Sequence, residues 1–251
     1  MTDWTWLRDL AVAAPGWAIL LAVFAAFLAM YTGFAAATQA MIAGVLRRFR
    51  IGEPVDPRPP AAGQIRREVL WSLGSIAVFA AYGWLTVAAE RAGLVRIDWQ
   101  PGPWSTVLDL LLLAAFNEVH FYLVHRVLHT RWLMRHVHAV HHRSRVPTPW
   151  STYAFHPLEA AALSSVMILL LLVAELSIVA VLAFPAVSLL LNTIGHANWA
   201  LIRSHREEDL LAGARRHTAH HARGGGNYGF YTPCLDWLLG TRIRARGADD
   251  P

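Results

Sequence analysis

The chain has 251 residues, 55% hydrophobic and 16% charged, with a mean hydropathy of +0.36. That is too apolar for an ordinary water-soluble domain and long enough for several membrane crossings, so the expected fold is all-α, a polytopic integral membrane helical bundle. The net charge of +5 comes from arginine alone, and the arginines fall in the gaps between apolar runs, which excludes the continuous basic surface of a nucleic-acid binder.

In chain order, residues 1–14 form a short amphipathic start with Trp4, Trp6 and Trp17 at interface positions. No basic segment with a small-residue cleavage site precedes the first apolar run, so residues 16–41 are expected to be a retained span rather than a signal peptide. Arg47, Arg48, Arg50, Arg58, Arg66 and Arg67 then surround the proline-rich linker EPVDPRPP, which cannot be helical throughout. By the positive-inside rule this linker is cytoplasmic. Residues 69–89 return the chain to the other face, and 104–124 cross again.

From Leu108 to His125 is about 25 Å of helix, so the histidines that follow emerge near the cytoplasmic end of the third span rather than in mid-bilayer. The apolar stretch 158–195 would be about 57 Å long as one helix, nearly twice the hydrocarbon thickness. A hairpin turning near Glu175 is therefore expected. It would return His196 to the side where His156 entered. Residues 205–217 are expected to be a surface helix, and the last residues, RARGADDP, a disorder-prone tail. The whole chain, 1–251, reads as a single membrane domain. The arginine-only usage suggests a G+C-rich genome, and the expected location is a bacterial cytoplasmic membrane with the active site on its cytoplasmic side.

Seven of the thirteen histidines lie between Asn117 and His142. His125 and His129, four apart in a run without a breaker, project from one face of a helix. His138, His141 and His142 have HxxHH spacing, which puts two or three imidazoles on one side of a turn, and the spacing returns in His217, His220 and His221. Burying so many imidazoles in an apolar chain without a metal would leave many polar groups unpaired. The three boxes therefore read as a multi-histidine metal site, open by chemistry to iron, zinc, copper or nickel. The single cysteine, Cys234, excludes a disulfide within the chain and a cysteine-based cluster.

The boxes HRVLH, HAVHH and HTAHH, with FHPLE at 155–159, GHANW at 195–199 and NYGFYTPCLDWLLGT at 227–241, resemble the fatty acid hydroxylase superfamily, also called the sterol desaturase family. The resemblance covers residues 104–241. It implies a membrane-embedded non-haem di-iron oxygenase, with two Fe2+ ions, dioxygen as co-substrate and zinc as a possible substitute in isolated protein. It also adds His196 to the ligands, after the hairpin. Catalytic boxes are thus expected over 117–156 and 192–241.

Around these ligands, Asn192 is weighed as a ligand against a polar residue capping the hairpin, and the second reading is preferred. His120 projects about 140° from His125 and reads as an interfacial neighbour. His136 and His205 read as surface residues, and His156 as a structural group. Glu118, Glu159 and Asp236 are candidates to accept the second N–H of a ligating imidazole. Gly224–Gly226 lacks the context of a phosphate loop and reads as a flexible turn closing over the site. Trp237 and Tyr231 read as interface anchors.

The function expected is an O2-dependent hydroxylase or desaturase acting on a C–H bond of a fatty acyl chain, sterol or carotenoid. Its electrons would come from a ferredoxin or cytochrome b5-like donor on the basic face, since no flavin or iron–sulfur signature is present. A membrane metal-binding or transport protein, or a zinc-dependent membrane hydrolase, is the alternative.

Overall fold

The computed structural model describes residues 3–203, 206, 209 and 212–243. Its helices are α1 (Thr5–Ala13), α2 (Gly16–Ala40), α3 (Gln64–Arg91), α4 (Pro103–Leu128), α5 (Arg131–Leu133), α6 (Ala139–His142), α7 (Pro157–Leu171), α8 (Ile178–Gly195), α9 (Gly213–Arg223) and α10 (Cys234–Leu238). Among the described residues, strands are confined to two-residue ladders, β1 (Glu53–Pro54) antiparallel to β4 (Trp199–Ala200) and β2 (Ile97–Asp98) parallel to β3 (Leu176–Ser177). The protein is a helical bundle in which, among the described residues, four helices are long and apolar enough to cross a membrane: 16–46, which includes a π-helical turn after α2, then α3, α4 and α8.

Many large apolar side chains face outward, among them Leu108, Leu111 and Leu182, each more than half exposed. In water such a belt would be costly, and a hydrocarbon surround removes the cost. Inside, one core cluster joins Leu113, Leu170, Leu176, Ile178 and Phe184, and a second joins Tyr31, Ile76, Phe79, Tyr153, Phe155 and Leu189.

α7 and α8 form two legs of a hairpin whose corner is stapled to α4. The Asp109 carboxylate accepts from the Ser177 amide at 2.7 Å, and the Ser177 hydroxyl accepts from the Ala180 amide, capping α8. At the opposite end of the bundle, the start of α3 and the ends of α4 and α8 gather around the histidine boxes. The helices overrun their apolar runs there because their polar ends have partners. Gln64 and Glu68, ahead of the apolar run of α3, are fully buried. Glu68 accepts from Gln64 Nε2 at 2.7 Å, Ser144 Oγ at 2.6 Å and Thr148 Oγ1 at 2.6 Å. Further along the helix, Ser72 and Ser75 donate to the carbonyls of Trp150 and Phe155, and Tyr31 of α2 reaches the Trp150 carbonyl at 2.7 Å. A row of polar side chains on α3 thus fastens the segment that follows the second histidine box.

The proline-rich linker is fastened as well. Asn198 exchanges two 2.8 Å hydrogen bonds with the backbone of Asp56, and Arg215 pairs with Glu53 at 2.7 Å. The surface helix expected over 205–217 is helical from Gly213; His205 and most residues between 204 and 211 lie outside the described residues, as does the tail from 244.

Glu68→Ala would strand three buried donors at once. A loss of about 3 kcal/mol or more is expected, measurable as a lowered unfolding midpoint in detergent, with Glu68→Gln less damaging.

Candidate metal centre

The second box is entered through a π-helical turn, Met134–His138, that leads into α6, and the third box lies on α9. Their histidines meet those of α4 and α8 in two sets. His125, His129, His138, His142 and His220 form the first, and His141, His196, His217 and His221 the second. Within each set one ring nitrogen per residue lies within 4.8 Å of all the others. All nine histidines named from the sequence are therefore brought together, with none left outside.

The ring orientations are fixed by what the far nitrogens touch. Nδ1 of His125 donates to the Tyr228 carbonyl at 3.0 Å, that of His220 to Gly226 at 2.6 Å, and that of His196 to Asn192 at 2.8 Å. A carbonyl can only accept, so these three rings are Nδ1–H tautomers with a bare lone pair on Nε2. His138 Nδ1 meets the Glu159 carboxylate at 2.8 Å, with both side chains buried.

The bare nitrogens then face one another. Nε2 of His220 is 3.2 Å from that of His129 and 3.1 Å from that of His142, which is itself 3.1 Å from His138 Nε2. In the second set, His196 Nε2 lies 2.8 Å from His217 Nε2 and 3.3 Å from His141 Nε2, and His217 Nε2 is 3.0 Å from His221 Nε2. Ligands about 2.1 Å from one ion sit about 3.0 Å apart on an octahedral edge and about 3.4 Å apart on a tetrahedral one. Five of the six separations fall in that range, and the 2.8 Å between His196 and His217 lies just below it. An all-nitrogen donor set with converging lone pairs fits a transition-metal ion at each position.

Burial keeps the imidazoles neutral and so able to ligate. It lowers His129 and His196 to about 4 and His142 to about 3. His138, His141, His217, His220 and His221 are pushed well below their ordinary value, first by loss of water and then by neighbouring histidines.

Of the three acids expected to orient imidazoles, Glu159 does so. Glu118 and Asp236 hold backbone instead. Glu118 accepts from the amides of Tyr231 and Thr232 and from the Thr232 hydroxyl; Asp236 accepts from the amides of Tyr228 and Gly229 and from the Thr241 hydroxyl. These bonds press residues 226–232 over the first set, so that the Gly226 and Tyr228 carbonyls meet His220 and His125.

The glycine run forms a tight corner. Gly224 and Gly225 have positive φ, and a Cβ on Gly226 would lie 2.5 Å from the Thr241 carbonyl. The carbonyl acceptors escape sequence reasoning because every residue carries one. Tyr231 is half-buried with its hydroxyl accepting from Asn117, whereas Trp237 is exposed. His120 bonds Ser165 away from both sets, His136 is exposed, and His156 caps α7 by accepting from the Leu158 amide. A cavity beside the two sets is walled by Phe121, Leu128, Phe155 and Leu163, with Glu159 and Asn192 as polar neighbours.

Residues 110–241 match the family model described as fatty acid hydroxylase. The chain belongs to the fatty acid hydroxylase family. Among curated relatives, it is 31% identical over 142 residues to a Delta(7)-sterol 5(6)-desaturase of Leptosphaeria maculans, covering 56% of this chain and 38% of that protein. It is 28% identical over 212 residues to a Delta(7)-sterol 5(6)-desaturase of Aspergillus fumigatus, with coverage of 75% and 66%. Lathosterol oxidase of Rattus norvegicus is 24% identical over 190 residues, with coverage of 71% and 61%. The chain thus spans 38% to 66% of the length of these relatives. No solved structure matches it significantly. The family match encloses all nine of these histidines and the strap at 226–241 that orients two of them.

Metal-free protein is expected to lose stability as the pH falls from about 6.5 toward about 4. Unfolded imidazoles take up protons near 6.5, while the buried rings resist, so acid favours the unfolded chain across that window. Unfolding midpoints in detergent across the window check this; a flat profile would contradict it.

Proposed function

We propose that this chain is an oxygen-dependent oxidoreductase that hydroxylates or desaturates a C–H position of a membrane lipid. Two iron ions would be held by His125, His129, His138, His142 and His220 and by His141, His196, His217 and His221. The observation that carries this reading is the convergence of nine inward-turned imidazoles in two sets at one end of a lipid-facing bundle. Iron bound there supplies dioxygen activation and the removal of hydrogen from an unactivated carbon.

The chain does the rest. Tyr228, Gly226, Asn192 and Glu159 hold the Nδ1 hydrogens and thereby aim the opposite nitrogens inward. Phe121, Leu128, Phe155 and Leu163 supply a dry wall on the cavity side. The named relatives are sterol desaturases and a lathosterol oxidase, so a sterol or similarly rigid lipid is the proposed substrate class. Those relatives are fungal and rat proteins and lend no support to a bacterial membrane.

Iron is proposed over zinc because nine imidazoles exceed the three protein ligands usual for a catalytic zinc. Against transport, the histidines gather at one end of the helices rather than along a path through them. Lipid profiling of cells carrying wild type or His141→Ala tests the activity. A product one oxygen heavier marks hydroxylation, one two hydrogens lighter marks desaturation, and either should vanish in the variant. No difference between the two strains would sink the proposal.

The positive-inside rule supports a site on the cytoplasmic side, and we propose that the arginine-rich linker with Arg131, Arg135, Arg143 and Arg145 offers a basic face to a ferredoxin or cytochrome b5-like donor. Reduced donor given to inside-out vesicles should support turnover, and neutralising those arginines should raise the donor concentration needed. Turnover at limiting donor that is unchanged in the variants would refute the docking face.

A further inference from the structure

The nine histidines divide by an exchange. The second box sends its outer pair, His138 and His142, to the first set and its middle member, His141, to the second. The third box does the reverse, giving His217 and His221 to the second set and His220 to the first. The exchange extends to the helix ends. His129 caps the C-terminus of α4 with its amide on the His125 carbonyl, and His196 caps the C-terminus of α8 with its amide on the Asn192 carbonyl. Two helices thus reach the two sets with the same terminal geometry. Four residues before the cap, one carries an imidazole and the other an amide.

Resting on the metal reading above, we propose that the two ion positions are built unequal. Asn192 stands where a fifth imidazole would complete the second set, so the ion there is held by four imidazoles and is bound more weakly. Asn192 lines the cavity together with His141, His196 and His217, and its Nδ2 donates to the Thr152 carbonyl at 3.3 Å. A neutral amide oxygen is a poorer ligand than imidazole for later first-row metals.

A second, independent asymmetry points the same way. In the first set His125, His138 and His220 each have an oxygen acceptor for Nδ1. In the second, Nδ1 of His141 and of His221 is buried without a partner, and His196 alone is anchored to an oxygen among the contacts described. Loss of such an outer partner typically lowers metal affinity by roughly ten- to a hundredfold. Three of the four imidazoles of the second set line the cavity, against His125 and His138 of the five in the first.

The test loads detergent-solubilised full chain anaerobically with two equivalents of Co2+ and follows the cobalt absorption under graded chelator. Two steps are expected, one equivalent leaving at a chelator concentration at least about tenfold lower than the other. Asn192→His should move the weak step toward the tight one, and Asn192→Asp, nearly the same size as asparagine, should move it in the same direction. His217→Ala should abolish the weak step and leave the tight one. Release of both equivalents in a single step, or two steps that neither Asn192 variant shifts, overturns the inequality. A wild-type chain that takes up no cobalt overturns the metal reading itself, which keeps the two failures distinct.

Discussion

Nine imidazole nitrogens turned toward one another in a water-poor interior are the constraint on which this structure depends. Lone pairs set about 3 Å apart repel, and their loss of water is uncompensated unless positive charge lies between them. The surrounding structure is arranged to hold the rings in that disposition. His125, His196 and His220 are oriented by backbone carbonyls and His138 by a buried carboxylate, so the inward nitrogen of each is decided by a contact on its far side.

Those contacts depend on segments that the membrane helices do not themselves provide. Residues 226–232 are irregular backbone, kept in place by Glu118 from α4 and by Asp236 from α10. Residues 144–155 are kept by the polar row on α3, with Glu68 at its centre. Carboxylates here act as clamps on N–H and O–H donors, which is how an apolar bundle tolerates so much non-helical chain at the end where its site lies. The linker between the first two spans contributes likewise through Asn198 and Arg215.

Much of the site was legible in the sequence because its ligands come in helical spacings. An i, i+4 pair or an HxxHH box announces shared direction on a helix, and this is why His125 with His129, and the members of both HxxHH boxes, could be named together. His196 stands alone, and it was named only through family resemblance. Glu159 was one of three equally plausible acids, and the two others proved to bind backbone. Nothing in their local sequence separates them, since the distinction lies in which partner the fold brings to each, as Glu118 meets Thr232, 114 residues along the chain.

Composition and apolar run length by themselves determined a membrane-spanning helical bundle, because a hydrocarbon layer fixes both how apolar and how long a crossing helix must be. Histidine spacing determined that imidazoles would face in common directions. Only the tertiary structure decided how they are shared out, with His141 leaving its neighbours for the second set and His220 leaving its own for the first. Spacing fixes a direction on one helix, whereas membership of a set depends on how separate helices cross, and packing alone sets that.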